Sequence, residues 1–314
     1  MKHNERWKYL YFLIVQIVLA ALLSRVAYSD SILGKRPNYV RLASVSSVPN
    51  RQAIGMRIWV PGLDEGYIPQ GMTFAEGEIL VSLYQSTDVK ISSGPSRVYR
   101  VDPKTGGISG QFELPADVGH ADGLAYTGGN VFYLADTKGK QIYKIDLGKA
   151  LSQGNCNEAV LGKIKVNKSM GPAFITYDGK RIWFGQYTKF KSDKPKIYQL
   201  TPDDFFKEWP TVNNVTSDMA SLSLDIDVES QGATFDKEGY LWISQSSSKR
   251  GKVQKIDPSN GKVLKEYELM AGIEDLAFAP DGKLWSVSEA GTKRWLRWGT
   301  FFPLIFEMDI TRLK

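Results

Sequence analysis

Five in-phase copies of one short string, a hairpin pattern ahead of each copy, and a period of about 50 residues predict an all-β fold, a five-bladed β-propeller with four-stranded antiparallel blades. The string alternates apolar and polar residues as a half-buried strand does: RVYRVD (97–102), QIYKID (141–146), KIYQLT (196–201), KVQKID (252–257) and LIFEMD (304–309). Its copies are 44, 55, 56 and 52 residues apart. Ahead of each stands a small or polar strand, a tight turn and an apolar strand: QGMTFAEGEILVSLY (70–84), DGLAYTGGNVFYLAD (122–136), AFITYDGKRIWFGQY (173–187), QGATFDKEGYLWISQS (231–246) and EDLAFAPDGKLWSVSE (274–289). The turns carry Gly or Asp-Gly, where a positive φ costs little, so each copy reads as a hairpin. A two-sheet sandwich would account for strands and turns but not for five copies of one string in phase.

Taken in chain order, the first element is an uncharged run of 16 residues, Tyr9 to Ser24, with Lys2, Arg6 and Lys8 before it and Arg25 after it. It reads as an export signal, and its length lies between a signal-peptide core and a membrane span. Cleavage is expected at Ala27-Tyr28-Ser29, or retention as an anchor with Lys8 and Arg25 reaching the interfaces; both outcomes put the body outside the cytoplasm. The expected organisation is a signal peptide or signal anchor over 1–29, a linker over 30–51 and a propeller over 52–314. Fourth strands follow the DPKTGG and DPSNGK turns, at ISGQFEL (108–114) and KVLKEYEL (262–269). The last copy stops after its third strand, at Asp309, so the segment QAIGMRIWV (52–60) is expected to supply the missing outer strand and close the ring.

Composition narrows the chemistry. The chain has 314 residues, 42% hydrophobic and 24% charged, the balance of a folded protein. One cysteine, Cys156, rules out an internal disulfide framework or a thiolate zinc cluster, and two histidines, His3 and His120, rule out a multi-histidine metal site. No serine-nucleophile elbow, P-loop, dinucleotide fingerprint, HExxH helix or EF-hand loop is present. Half of the formal charge of +6 sits in residues 1–29, leaving +3 on the body, so no nucleic-acid partner is expected.

The repeat, with its DPxTG turns and an LW after Asp-Gly, resembles the broad superfamily of secreted bacterial propellers that includes the YVTN and NHL repeats and the gluconolactonase-like and streptogramin-lyase-like proteins. Five blades with QGMTF opening one inner strand also resemble the glutamine cyclotransferase family. That family carries a Glu at a GEG turn opening its second blade, where this chain has Asp122 in HADG.

Two candidate sites follow. The second-to-third-strand loops carry +10 in total, whereas the hairpin turns of the opposite face carry −2. A basic rim of this kind concentrates anions. The ligand-binding residues expected there are Lys249, Arg250, Lys293, Arg294 and Arg297, and the stretch KRWLRWGTFFPL (293–304) is expected either to meet a membrane, sugar or base or to fold over the blade edge. Inside the rim, the inner strands begin with Gln70, Asp122, Ala173, Gln231 and Glu274, with Asp136, Glu229, Asp275 and Glu289 close by. Carboxylates converging on one axis suit Ca²⁺ or Mg²⁺, with Asp122, Glu274 and Glu289 as ligands, Gln70 and Gln231 binding the ligand, and His120 as catalytic acid or base. The same residues serve a propeller as mutually bonded channel groups.

The leading expectation is an exported monomer, secreted or held at the membrane by its N-terminal segment, that binds an anionic small molecule or cell-surface polymer through the rim. A divalent-metal-dependent hydrolase or lyase is the alternative, and glutaminyl cyclisation a third. The sequence leaves open whether the protein is an enzyme.

Overall fold

The computed structural model describes residues 11, 14–16, 31–40, 44–201 and 214–314, and its body is the expected five-bladed β-propeller. Blade 1 comprises β2 (Tyr67–Ala75), β3 (Glu78–Gln85), β4 (Ser96–Val101) and β5 (Ile108–Glu113); β1 (Ile54–Trp59) precedes it in the chain. Blade 2 comprises β6 (Ala121–Gly128), β7 (Val131–Asp136), β8 (Gln141–Asp146) and β9 (Val160–Lys165). Blade 3 is built from β10 (Phe174–Tyr177), β11 (Ile182–Gly185), β12 (Lys196–Leu200) and β13 (Leu222–Asp225). Blade 4 takes β14 (Ser230–Phe235), β15 (Leu241–Ser246), β16 (Gly251–Asp257) and β17 (Lys262–Leu269). Blade 5 contains β18 (Ile273–Phe278), β19 (Leu284–Ser288) and β20 (Leu304–Met308).

The fourth strand of blade 5 is β1, antiparallel to β20 with Ile54 opposite Met308 and Trp59 opposite Leu304. The ring therefore closes as the missing strand predicted, and no blade is left with an unpaired third strand. Each repeated string is a third strand, and the alternation that marks it in sequence puts its second residue, Val98, Ile142, Ile197, Val253 and Ile305, into the packing between blades. The core is accordingly distributed: Phe174, Trp183 and Ile197 of blade 3 meet Ala233 and Ile243 of blade 4 in one apolar layer.

Two fourth strands depart from the simple turn-and-strand plan. In blade 2 the helix α1 (Leu147–Gln153) intervenes between β8 and β9. Asp146 caps it by accepting from the Lys149 amide at 2.9 Å, and Gly154 ends it at φ 68°. In blade 3 the connection to β13 runs through 202–213, outside the described residues. Residues of the expected linker touch the propeller: Leu33 bridges to Ile58, Val48 is buried, and the Tyr39 hydroxyl donates to the Gly291 carbonyl at 2.9 Å. Among the described residues no helix is long and apolar enough to cross a membrane; most of the run 9–24 lies outside them.

Candidate functional site at the channel mouth

Four of the five inner strands break register where the sequence placed its polar residues. The pairing shifts between Pro69 and Met72, Ala121 and Leu124, Ser230 and Gly232, and Ile273 and Leu276. A bulge leaves a residue out of the ladder and re-aims its side chain. Here the re-aimed residues are Gln70, Asp122, Gln231, Glu274 and Asp275, which gather at one end of the central axis. Glycine follows Gln70 and Gln231 because the blades touch there: a Cβ on Gly71 would lie 2.2 Å from the Asp122 carbonyl oxygen, and one on Gly232 2.3 Å from the Asp275 Cα. Blade 3 has no such break, and Ala173 brings no polar group.

The ends of the second strands add a second ring, comprising Tyr84, Asp136, Tyr187 and Glu289. Between the rings runs a continuous polar network. The His120 Nε2 lies 2.8 Å from Gln70 Oε1 and 3.6 Å from Asp122 Oδ1. Gln70 donates to Glu289 at 3.3 Å, and the Trp295 indole N–H donates to the same carboxylate oxygen at 2.6 Å. Gln231 donates to Glu274 at 3.1 Å, and the Glu274 and Glu289 carboxyls hydrogen-bond to each other. Glu274 is 2% exposed and Glu289 7%, and among the described residues neither has a cation at ion-pair distance.

Burial dominates the electrostatics. Desolvation pushes Glu289 up to about 7, against the hydrogen bond from Trp295 and the nearby positive charge of Arg294. Glu274 is driven well above the usual carboxylate range by burial and then by Glu289 and Asp122. Two carboxyls in contact in a poorly solvated site cannot both ionise, so the pair holds a proton at neutral pH. Burial also raises Asp122 well above its usual range and Asp136 to about 6. His120 is pushed down to about 4, by burial first and then by Arg294, so its imidazole is neutral at pH 7 and serves as a hydrogen-bonding group beside the Tyr84 ring, 4.2 Å away.

The stretch 293–304 folds inward. Arg294 is buried between the Trp295 and Tyr84 rings, donating to the Tyr84 hydroxyl and, at 3.1 Å, to the Val89 carbonyl. Trp295 stacks on Trp298 with centroids 4.7 Å apart, and Phe302 is fully buried. Lys293 donates to the Asp64 carbonyl at 2.5 Å. Of the five expected rim cations, Arg294 and Lys293 turn toward the protein and Arg250 pairs with Glu229 at 3.2 Å, while Lys249 and Arg297 are exposed. The expected ion ligands Asp122, Glu274 and Glu289 share the mouth. Among the described residues, however, no three His, Cys, Asp or Glu side chains are arranged to hold a metal ion, because Asp122 turns instead to the Thr137 amide at 2.8 Å and to His120.

Sequence reasoning missed Tyr84, Tyr187 and Trp295. The first two close their repeats where Asp136 and Glu289 close theirs, at the end of the second-strand string, so the last position of the aligned copies is the signal that marks them. Trp295 lies in an irregular loop, and nothing periodic marks it.

No protein-family model matches the chain, and no curated protein matches it. Among solved structures, a glutaminyl cyclase from Myxococcus xanthus is similar over 78% of this chain and 90% of its own, with a TM-score of 0.53 at 12% identity. An aldose sugar dehydrogenase from Streptomyces coelicolor is similar over 76% and 93%, at 0.46 and 15%. Virginiamycin B lyase from Staphylococcus aureus is similar over 71% and 78%, at 0.37 and 16%. The likeness to the glutaminyl cyclase shows the propeller fold.

Proposed function

We propose that the channel mouth is an acid–base catalytic site for a substrate bearing a primary amine, and that the reaction is attack of that amine on a nearby acyl carbon, as in cyclisation of an N-terminal glutamine. The observation that carries this reading is the buried Glu274–Glu289 carboxyl pair, with no cation at ion-pair distance from either among the described residues. A site of this kind attracts an ammonium group, whose charge relieves the repulsion between the carboxyls. The ionised member takes a proton from the bound ammonium, and the resulting amine attacks the side-chain amide carbon. The protonated member gives its proton to the departing ammonia, and the attacking nitrogen passes its second proton to the carboxylate so freed as the five-membered lactam closes. Gln70, Gln231 and Trp295 hold the two carboxyls in place, and Asp122 with His120 forms the facing wall.

Support for an anion-binding rim is thinner, because Arg250, Lys293 and Arg294 are already engaged within the protein. The charged flanks of the N-terminal run support an extracytoplasmic location for the site. The test is release of ammonia from peptides with N-terminal glutamine. Wild-type protein is expected to release it, and Glu289→Gln to lower kcat by about 10²- to 10⁴-fold with the fold intact by circular dichroism. No release above the uncatalysed background, or an undiminished rate in the variant, would overturn the proposal.

A further inference from the structure

Beside the mouth, the interface between blades 3 and 4 opens into a cleft of about 870 Å³. Deeper in that interface the facing residues are apolar, Ile243 among them. Strand register then puts Gln245, Lys252, Gln254 and Glu266 on the same face of blade 4, toward the rim. The polar groups there form a directed chain. Gln254 Nε2 donates to Asp227 at 2.9 Å and to Glu266 at 2.7 Å, and Gln245 Nε2 donates to Gln254 Oε1 at 2.6 Å. Ionised carboxylates only accept, so Gln254 must present its NH₂ to them, and its oxygen must then take the NH₂ of Gln245. The sequence of bonds leaves Gln245 Oε1 as an acceptor with no partner, on a residue that lines the cleft and is 3% exposed. A buried unpaired carbonyl is costly and calls for an N–H or O–H donor.

The charges of the cleft are asymmetric in the same sense. Its carboxylates are mostly tied up: Lys252 holds Asp227 at 3.2 Å and Glu266 at 2.8 Å, Arg250 holds Glu229, and Lys196 holds Asp225. Lys191, Lys194 and Lys249 on the lip have no ion pair among the described residues and are exposed. The cleft also adjoins the mouth, since the half-buried Tyr187 hydroxyl lies near both Glu229 of the cleft and Glu274 and Glu289 of the pair.

We infer that this cleft binds an acidic polypeptide segment, with acidic side chains on Lys191, Lys194 and Lys249 and a main-chain N–H reaching Gln245 Oε1 as that amide turns outward. Its role as the groove that holds the substrate chain beyond the reacting residue rests on the reading of the mouth given above. An anionic polysaccharide would also satisfy the lysines and could donate an O–H to Gln245 Oε1; the reading of the mouth as a site for the first residue of a polypeptide favours a peptide.

The experiment is fluorescence anisotropy with dye-labelled peptides that begin with glutamine and continue with acidic, neutral or basic residues, read alongside ammonia release. The acidic peptide is expected to bind about tenfold more tightly than the basic one, with a preference that shrinks as salt is added. Charge reversal in K191E/K194E/K249E, on exposed positions that do not threaten folding, is expected to reverse the preference. Gln245→Met, of similar length but without the acceptor, is expected to weaken acidic-peptide binding about tenfold. Equal affinity for the three peptides, an unchanged preference in the triple variant, or binding of dextran sulfate without binding of the acidic peptide would overturn the inference. Discrimination by wild type and by Glu289→Gln without ammonia release from either would keep the groove and remove the cyclisation, whereas ammonia release without discrimination would do the reverse.

Discussion

Glu274 and Asp275 are neighbours on β18, both buried, and they lead opposite lives. Asp275 accepts four main-chain N–H groups: Met72 at 3.0 Å from blade 1, Leu124 at 3.3 Å from blade 2, Ala233 at 3.2 Å from blade 4, and Leu276 at 2.9 Å. One carboxylate thus ties four blades together at the axis. Glu274 accepts from Gln231 and faces another carboxyl. Burial pushes both carboxyls up, but for Asp275 four N–H groups oppose that shift, while for Glu274 the charges of Glu289 and Asp122 add to it. A buried acid whose oxygens are filled by the protein is structure, and one left in contact with a second acid has capacity for a ligand or a proton.

The largest effect that separates the two follows from removing Asp275. Asp275→Ala orphans four buried N–H groups, each worth about 1–3 kcal/mol, so the variant is expected to lose more than about 4 kcal/mol in urea unfolding or to fail to fold. Glu289→Gln, on the other side of the comparison, is expected to stay folded at or above wild-type stability, because it removes one of two repelling acids. If Asp275→Ala unfolds at wild-type urea, the axis is held by blade packing alone and Asp275 is no more structural than Glu274.

The fold was legible because its information is periodic. RVYRVD and its four relatives alternate at the strand period, and a ring of like blades can bury that pattern only by stacking. Closure by 52–60 was legible too, since a blade lacking its fourth strand demands one. Polar positions at the mouth were partly legible: aligning the repeats gave Gln70, Asp122, Gln231, Glu274 and Glu289. What the repeats do not encode is which way a side chain leaves a bulge, so Asp275, beside the expected ligand Glu274, carried no sign of the main-chain bonds it makes. Nor do they encode the path of an irregular loop. Arg294 read as a rim cation because charge is visible in sequence and burial between Tyr84 and Trp295 is not.

A smaller effect concerns pH. Glu289 has a folded-state value of about 7 against an ordinary 4.5, so between those values the folded protein binds more protons than the unfolded chain. Stability therefore falls as pH rises through this window and levels off above it. Asp136, raised to about 6, acts in the same direction. Urea unfolding is expected to show a loss on the order of 2 kcal/mol between about pH 5 and pH 7.5, with a shallower slope in Glu289→Gln. A flat profile, or one that the substitution leaves unchanged, would mean that the pair does not hold its proton.

The smallest effect tests how the two acids are kept apart. Ser244 on β15 donates to the Glu274 carbonyl at 2.6 Å, and Ser286 on β19 to the Asp275 carbonyl at 2.8 Å, so the main chain of each acid is latched by a buried serine. Ser244→Ala removes one hydrogen bond, worth about 1 kcal/mol, and leaves the Glu274 carbonyl without that donor. Because the Glu274 side chain is held separately by Gln231 and Glu289, the pH profile of stability is expected to keep its midpoint while the whole curve drops. A midpoint displaced along with the drop would show that the proton-sharing geometry depends on the backbone latch, and the line between structural and functional acid would then have to be drawn at Ser244 as well as at the bulge.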